Sequence, residues 1–407
     1  MSTESFPRRA PGLRARLALC PRRSFLTVAF LVIATVTGAG VFGDFNADSK
    51  SDILLTNAAT NERAIWLMNG TSISAGASLG LLSNYWLFSG IGDFNGDGKN
   101  DIFLSNVITG EHVVWLMNGT AISAGASIGA VSVDWAISGT GDFNGDGKSD
   151  ILLSNKVTGE RAIWLMNGMT VTTVASLGVQ PTNWVIDGTT DLNGDGKSDI
   201  FLTDVTTGVR AIWLMNGTSI SAGSYLGTFA PEWSVSGFGD FNGDGKGDIL
   251  LTNKVTSERV IWLMNGASIS AGASLGLLSL NWQFTRVGDF DGNGKADIFL
   301  TDTTTGDRAI WLMNGTSISA GVGLGVLASP WTTALTSAAF PETIGSNGLG
   351  VSWQLYYFGN TSADPNADPD GDGVTTLNEF LTGRNPTKGA VAGTTANVNL
   401  RVYAPTR

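Results

Sequence analysis

The chain has 407 residues, of which 43% are hydrophobic and 14% are charged, and its formal net charge at pH 7 is −11. This composition excludes a disordered chain, which would contain fewer apolar and more charged residues. The negative charge argues against nucleic acid as a partner, because an acidic protein repels phosphates.

The N-terminus has the pattern of an export signal over residues 1–39. Six arginines precede the apolar run 25–36, and small residues follow as far as Ala39. The pair Arg22-Arg23, followed by Ser24-Phe25-Leu26, also resembles a twin-arginine motif, so the general and the twin-arginine export routes both stay open. An uncleaved membrane anchor is a further alternative, although the apolar run is short for a membrane span. We expect no membrane span in the mature chain.

From residue 44 to residue 337 the chain repeats itself six times with a period of 49 residues. The first aspartates of the repeats are Asp44, Asp93, Asp142, Asp191, Asp240 and Asp289. The tryptophan of an IWLMNG-type segment and a second tryptophan keep the same step. A fixed period of this size indicates a solenoid, a propeller or an array of stacked units.

Each repeat opens with an acidic loop of the form Asp-x-Asn-x-Asp-Gly-x-x-Asp, as in Asp142 to Asp150. Side-chain oxygens at positions 1, 3, 5 and 9, a carbonyl at position 7 and a turn-forming glycine at position 6 suit a hard cation, and Ca²⁺ better than Mg²⁺. Position 7 is always lysine, so we expect its carbonyl to face the ion and its side chain to face solvent. The predicted metal ligands of the repeats are Asp44, Asn46, Asp48, Lys50, Asp52, Asp93, Asn95, Asp97, Lys99, Asp101, Asp142, Asn144, Asp146, Lys148, Asp150, Asp191, Asn193, Asp195, Lys197, Asp199, Asp240, Asn242, Asp244, Lys246, Asp248, Asp289, Asp291, Asn293, Lys295 and Asp297.

Two of the acidic loops depart from this pattern. In the first, Ala47 and Ser49 replace glycines, which predicts the weakest site because glycine favours left-handed turns. In the sixth, Asp291 and Asn293 exchange the usual order, which preserves the number of carboxylates.

Short strands follow each acidic loop. In the third repeat they are predicted at Asp150–Ser154 and Arg161–Met166, and Asn167-Gly168 predicts a type I′ hairpin turn. The second of these strands is apolar on both faces and must therefore be covered on both sides. A strand such as Trp135–Gly139 leads into the next loop, so four strands occupy one period, as in a propeller blade.

One histidine and one cysteine limit the chemistry that is available. His112 occupies a position that is arginine in the other five repeats, so we interpret it as structural. Cys20 lies inside the predicted signal, which leaves the mature chain without a thiol or a disulfide. Catalytic triads and histidine-ligated zinc or iron sites therefore have no residues to form them.

The GDFNGDGKSDILL and IWLMNG elements resemble the FG-GAP or VCBS repeats of bacterial exported proteins, which are related to the integrin-type β-propeller. The resemblance implies an all-β propeller over residues 40–337 that holds about six calcium ions in its loops and acts as a binding or adhesion module. We expect six four-stranded blades, with seven as the alternative because integrin-type propellers usually have seven. The last strand, Trp331–Leu335, is expected to complete the first blade and close the ring.

Residues 338–388 are predicted to form a linker and one EF-hand-like calcium loop. Positions 1, 3, 5 and 12 of that loop carry acids, and positions 7 and 9 are Val374, through its carbonyl, and Thr376. The loop resembles those of thrombospondin type 3 repeats and dockerins, although a dockerin needs two copies. The predicted ligands are Asp368, Asp370, Asp372, Val374 and Glu379. Residues 389–407 have no assignment.

Three functions fit these features. The first is a secreted or cell-surface, non-enzymatic calcium-binding module for a glycan or protein ligand. The second is a polysaccharide lyase or hydrolase, for which Asp134 and Asp187 are the acids that break the repeat register. The third is a structural spacer. Ligand contacts are expected in the variable segments 81–85, 130–134, 179–183, 229–232, 277–281 and 326–330.

Overall fold

The computed structural model describes residues 42–83, 85–326, 331–332, 347, 349, 358, 362–371 and 373–378. The chain divides into two units, Met1–Thr35 and Val36–Arg407, and all the described residues belong to the second. The predicted signal over residues 1–39 and the tail 389–407 lie outside the described residues. No helix within the described part of the chain is long and apolar enough to cross a bilayer.

The described residues contain twenty-five β-strands, which we number in chain order. They are β1 (Phe42–Gly43), β2 (Asp52–Asn57), β3 (Glu62–Asn69), β4 (Ser72–Leu81), β5 (Trp86–Gly92), β6 (Asp101–Asn106), β7 (Glu111–Asn118), β8 (Ala121–Ala130), β9 (Trp135–Gly141), β10 (Asp150–Asn155), β11 (Glu160–Asn167), β12 (Thr170–Val179), β13 (Trp184–Thr190), β14 (Asp199–Asp204), β15 (Val209–Asn216), β16 (Ser219–Thr228), β17 (Trp233–Gly239), β18 (Asp248–Asn253), β19 (Glu258–Asn265), β20 (Ser268–Leu277), β21 (Trp282–Gly288), β22 (Asp297–Asp302), β23 (Asp307–Asn314), β24 (Ser317–Val326) and β25 (Trp331–Thr332).

These strands form six antiparallel sheets, and each sheet joins strands that follow one another in the chain, except that β25 joins the first sheet. The first strands of neighbouring sheets contact each other, so they lie nearest the centre and the sheets radiate from it as blades. Close approach at the centre requires glycine at some positions: a Cβ on Gly139 would lie 2.6 Å from Thr189 Cγ2. The prediction of an all-β propeller is confirmed, with six blades rather than seven in the described part of the chain.

The first blade is closed by both ends of the repeat region. Its innermost position is shared by β1, in which Phe42 pairs with Ile53, and β25, in which Trp331 pairs with Asn57. The expectation that a last strand completes the first blade is confirmed for Trp331–Thr332, whereas residues 333–335 lie outside the described residues.

The antiparallel order of each blade gives the propeller two different faces. The loop face carries the acidic loops between the first and second strands and the hairpins between the third and fourth. The connector face carries the turns between the second and third strands and the connections from each fourth strand to the next blade. The predicted ligand-contact segments therefore lie opposite the acidic loops, except that Asn84 and residues 327–330 lie outside the described residues.

The core lies between the blades. Second strands such as β10 are buried throughout their apolar residues, with Ile151, Leu152 and Leu153 at most 1% exposed. In the third strand β11, Ile163, Trp164 and Met166 are also buried, which confirms that this strand is covered on both faces. The phenylalanine or leucine at position 2 of each acidic loop is fully buried and anchors that loop to the core.

The hairpin turns differ from the predicted type I′ geometry. Asn167 is the last residue of β11 and pairs with Thr170, so the central residues of the turn are Gly168 and Met169. Only Gly168 has a positive φ, 61°, which is the pattern of a type II′ turn. The prediction was wrong because it placed Asn167 and Gly168 at the two central positions of the turn, whereas Asn167 precedes them.

Candidate metal centre

The acidic loops are folded around the carboxylate of their first aspartate. In the third loop, Asp142 Oδ1 accepts hydrogen bonds from the N–H groups of Gly145 (2.6 Å) and Asp146 (3.3 Å), and Asp142 Oδ2 accepts one from Gly147 (2.7 Å). Asn144 Oδ1 accepts from the Asp146 N–H, and Asp146 Oδ1 accepts from the Lys148 N–H. The side chains at positions 1, 3 and 5 therefore all turn inward, because each one caps the backbone that follows it.

The ninth position is the most buried part of the loop. The aspartates there are fully buried in all six repeats. In the third loop, Asp150 Oδ2 accepts from the Phe143 N–H at 3.0 Å and Oδ1 from the Met166 N–H at 2.9 Å, which ties the loop to the third strand. Burial raises the pKa of Asp150 to about 6, against the two hydrogen bonds that favour the charged form, while the charges of Asp142 and Asp146 raise it further.

The six loops are joined to one another in a closed ring. The N–H at position 8 of each loop donates to the position-1 carbonyl of the preceding loop, as Ser149 does to Asp93 at 2.6 Å. The ring closes where Ser51 of the first loop donates to Asp289 of the sixth at 2.5 Å. Hairpin glycines form a second closed series, in which Gly168 donates to Phe94 of the preceding repeat. Each predicted ligand set is therefore held by two blades.

In the sixth loop the structure brings the position-1, position-3 and position-9 side chains together. In the sixth loop one carboxylate oxygen from each of Asp289, Asp291 and Asp297 lies within 4.8 Å of the others, and no other three acids in the described residues do so. Two oxygens that bind one Ca²⁺ at about 2.4 Å can be at most about 4.8 Å apart, so these donors fit a single calcium ion. The other loops carry Asn instead of Asp at position 3.

The position-7 lysines do not extend freely into solvent, contrary to our expectation. In four loops the lysine Nζ lies 3.6–4.0 Å from the position-5 carboxylate, and the lysine side chains are about one quarter exposed. The sixth loop has Asn293 at position 5, and there Lys295 Nζ donates to Asn314 Oδ1 at 2.5 Å. An ammonium group attracts the position-5 carboxylate in these four loops, a pairing that the spacing of the motif does not reveal.

The first loop keeps its fold despite the missing glycines. Ala47 and Ser49 have φ values of 61° and 65°, in the left-handed region that disfavours side chains. The Ser49 N–H donates to Asp44 Oδ2 at 2.6 Å, as the glycine does in the other loops. Its predicted weaker affinity for a metal stays a prediction.

The C-terminal loop shares two backbone hydrogen bonds with the loops of the propeller. Gly371 and Gly373 donate to the two carboxylate oxygens of Asp368 at 2.9 and 2.8 Å, and both have positive φ. Thr376 is fully buried, as the position-9 aspartates are. A helical turn begins at Thr376 and is described as far as Asn378. The predicted ligands Asp372 and Glu379 lie outside the described residues.

The buried row of arginines was not predicted to have a particular role. Arg161, on β11, lies between blades and donates from Nη2 to the carbonyl of Trp184 in the next blade at 2.6 Å. Equivalent bonds are donated by Arg63, Arg210 and Arg259. The sequence signal for this bridge is an arginine at the same position of an otherwise apolar strand in five of the six repeats.

His112 replaces this arginine in the second blade. Its side chain is buried, with Nδ1 2.9 Å from Ser105 Oγ and the ring near Trp164. Burial lowers its pKa to about 4, so the imidazole is neutral at pH 7. The structural interpretation of His112 is confirmed.

The two irregular acids lie in different settings. Asp187, at a bulge of β13, accepts a hydrogen bond from Thr203 Oγ1 at 2.5 Å. Burial raises its pKa to about 6, although the Thr203 hydrogen bond and two basic residues act in the opposite direction. Asp134 is exposed and accepts from Ser132 Oγ at 2.9 Å. The structure therefore links each acid to its own neighbour and does not present them as a pair.

The connector face is rich in exposed apolar side chains. The large apolar residues of this face that are at least 60% exposed are Val157, Val179, Val205, Val255, Leu277 and Val326. One connection, near Tyr85, is also covered by the C-terminal segment, because Tyr85 packs with Phe358 and Leu377 against the buried Leu349. The described residues Leu349, Phe358 and Leu377 therefore lie against the propeller at the connection between the first and second blades.

Comparison with known proteins supports the repeat assignment. The FG-GAP-like repeat family matches residues 44–104, 93–153 and 191–251. No curated protein matches the chain at a significant level.

Among solved structures, the chain is similar to a protein of unknown function from Desulfotomaculum acetoxidans DSM 771, with 11% identity, a TM-score of 0.39, and coverage of 69% of this chain and 82% of that one. A nidogen/laminin complex gives 12% identity, a TM-score of 0.42, and coverage of 66% and 92%. Kuenenia stuttgartiensis hydrazine synthase gives 11% identity, a TM-score of 0.39, and coverage of 71% of this chain and 80% of that one. These TM-scores lie below 0.5, so the likenesses carry no functional inference.

Proposed function

We propose that this six-bladed β-propeller of FG-GAP-like repeats is a secreted or cell-surface calcium-binding module that binds a glycan or a protein and has no catalytic activity of its own. One observation carries the proposal: six acidic loops of the same design lie on one face and are joined in a closed ring by backbone hydrogen bonds. Such a ring concentrates carboxylates at the centre of the molecule, where a divalent cation would offset their repulsion.

In each loop the ion would be held by the side chains at positions 1, 3, 5 and 9 and by the lysine carbonyl at position 7. An ion bound there would supply positive charge to the carboxylates and fix the loop. The position-5 aspartates would have to leave their lysine partners, as Asp97 would leave Lys99 at 3.6 Å. An exposed ion pair of this kind contributes at most about 1 kcal/mol, so it does not prevent metal binding. The loop at Asp368 would hold a seventh ion.

The connector face is the side on which we place the ligand. Its connections are the parts of the repeats that vary in sequence, and its exposed valines and leucines offer contact area that the acidic face lacks. The tryptophans are better suited to packing than to sugar binding, since Trp86, Trp115 and Trp164 are buried.

Two features support an extracellular location. The N-terminal basic and apolar pattern is that of an export signal. FG-GAP-like repeats are typical of extracellular proteins. An exported chain without disulfides would also benefit from metal ions as cross-links between blades.

An enzyme is the second candidate, and Asp187 is the observation that favours it. A carboxyl with a pKa near 6 has the proton affinity of a general acid. However, serine or threonine occupies the same bulge in the other described blades, at Ser89, Ser138, Ser236 and Thr285, and those hydroxyls make the matching hydrogen bond in three of them. Asp187 therefore fills a structural position, and retention of any detected polysaccharide cleavage by Asp187→Asn would remove it as a candidate.

Calcium titration by calorimetry after chelation tests the metal proposal. We expect six or seven ions per chain and a higher melting temperature, because a ligand that binds only the folded state stabilises it. Asp142→Ala should remove one ion, whereas Asp134→Ala, which removes an exposed acid outside the loops, should leave the number unchanged. Absence of binding together with an unchanged melting temperature would contradict the proposal.

A binding screen tests the role of the module. The immobilised protein is exposed to polysaccharides and extracellular proteins in calcium and in chelator. We expect a ligand whose binding is lost when Val179 and Leu277 are replaced by serine but kept when Val174, in the middle of the outermost strand β12, is replaced in the same way. Failure to bind any member of a broad panel would favour the structural spacer.

A further inference from the structure

The outermost strand of every blade is a free sheet edge. We call these six strands, β4, β8, β12, β16, β20 and β24, the rim strands. Each has ten residues and pairs on one side only, with the third strand of its own blade, in the part of the chain that the structure describes. The backbone N–H and C=O groups on their outer side are therefore available to another strand.

The rim strands lack the charged residues and prolines that commonly protect a sheet edge. Sequences such as SISAGASLGL and TVTTVASLGV contain no charged residue and no proline, and this holds for all sixty rim residues. Proteins commonly place lysine or proline on exposed edges to prevent pairing. The rim has two bulges per strand instead, which leave a regular segment of four residues at the centre, such as Ala75–Ser78 opposite Ala64–Leu67.

Large apolar side chains also project from the rim. Tyr225 is 75% exposed and Val174 is 65% exposed. Ile73, Ile269 and Ile318 occupy the second position of their strands and are each at least 39% exposed. Exposed aromatic and branched side chains beside an open edge are a feature of surfaces that bind other proteins.

We propose that the rim strands pair edge to edge with the rim strands of other copies of this chain. A second copy is the partner that fits, because two identical strands pair antiparallel about a twofold axis with matching hydrogen bonds. Charge favours the same partner: the chain carries a net charge of −11, with the acidic loops on one face, so copies repel at the loop face but not at the uncharged rim.

Each contact between two rim strands is weak because the regular segment has only four residues. The low affinity of one contact is offset by the number of contacts that one copy can form. One copy presents six similar edges around its circumference, so several weak contacts act together in a lateral assembly. This inference concerns the rim alone and does not depend on calcium or on a ligand at the connector face.

Sedimentation velocity of the full chain over a range of concentrations, at a salt concentration that screens the net charge, tests the proposal. The mean mass of the wild type should rise with concentration. A variant with lysine at the fourth position of every rim strand (A75K, A124K, T173K, A222K, A271K and A320K) should sediment as a monomer throughout. Circular dichroism establishes that this variant is folded.

A matched control adds the same six charges at exposed positions of the connector-face turns (A59K, I108K, V157K, T206K, V255K and T304K). This protein should associate as the wild type does. A wild type that stays monomeric, a rim variant that still associates, or equal loss of association in both variants would overturn the proposal.

Discussion

Replacing Ala47 and Ser49 by glycine should stabilise the protein, although neither change adds a contact. Both residues hold a positive φ, 61° and 65°, that an L-residue adopts at a cost of about 1–2 kcal/mol. Glycine removes that cost but loses about 0.5–1 kcal/mol more backbone entropy on folding. The net gain is about 0.5–1 kcal/mol at each position, or about 1–2 kcal/mol for the double variant.

The third loop provides the reverse experiment. A Cβ at Gly147 would meet no atom within 4 Å, and one at Gly145 would lie 3.5 Å from the Lys197 side chain, which is ordinary contact. The double change Gly145→Ala and Gly147→Ser therefore introduces backbone strain without a clash. It should destabilise the protein by about the amount that the first-loop variant gains.

Urea unfolding in the presence of chelator measures both changes without a contribution from metal ions. The midpoint should rise for the first-loop variant and fall for the third-loop variant, while the slope stays constant. An unchanged midpoint for both would refute the reasoning, because it would mean that the backbone at these positions carries no strain. Opposite shifts of unequal size would mean only that the loops relax to different extents.

Three further predictions concern single side chains. Burial lowers the pKa of His112 to about 4, so below about pH 6.5 the unfolded chain binds a proton that the folded chain does not. The free energy of unfolding should therefore fall by up to about 3 kcal/mol between pH 6.5 and 4. His112→Arg should abolish this loss, and the difference in urea midpoint between the two proteins should grow as the pH falls. Asp150→Asn should cost about 1–3 kcal/mol in chelator, since one of two buried N–H groups loses its acceptor, whereas the exposed Asp146→Asn should change stability by less than about 0.5 kcal/mol. Trp331→Ala should lower the free energy of unfolding by about 2–3 kcal/mol because Trp331 packs into the core of the first blade, and a melting curve equal to that of the wild type would show that the final strand does not hold the ring closed.

The fold could be predicted from the sequence because the repeat is regular. The constant step between Asp142 and its equivalents indicates identical units, and the strands that begin at Asp150 and Glu160 fall within one or two residues of the predicted ones. Closure of the ring could also be predicted, since the repeat region begins and ends at complementary parts of one blade.

The finer features of the site could not be predicted, because they depend on backbone groups. The bond from Ser149 to Asp93 joins atoms that every residue carries, so no sequence pattern reveals it. The pairing of Lys99 with Asp97 depends on how the loop turns. The motif predicts Asp150 to be a ligand, but its complete burial and its two backbone hydrogen bonds became clear only from the fold.

The division of the first blade between β1 and β25 sets the order in which the blades can fold while the chain is synthesised from its N-terminus. Blades two to six can each form as soon as their own residues are available, but the inner edge of β2 stays partly open until Trp331 arrives. The ring therefore closes last, and any interruption before that residue leaves an open arc with an unpaired edge at one end. Only a chain that includes Trp331 can therefore form the closed ring.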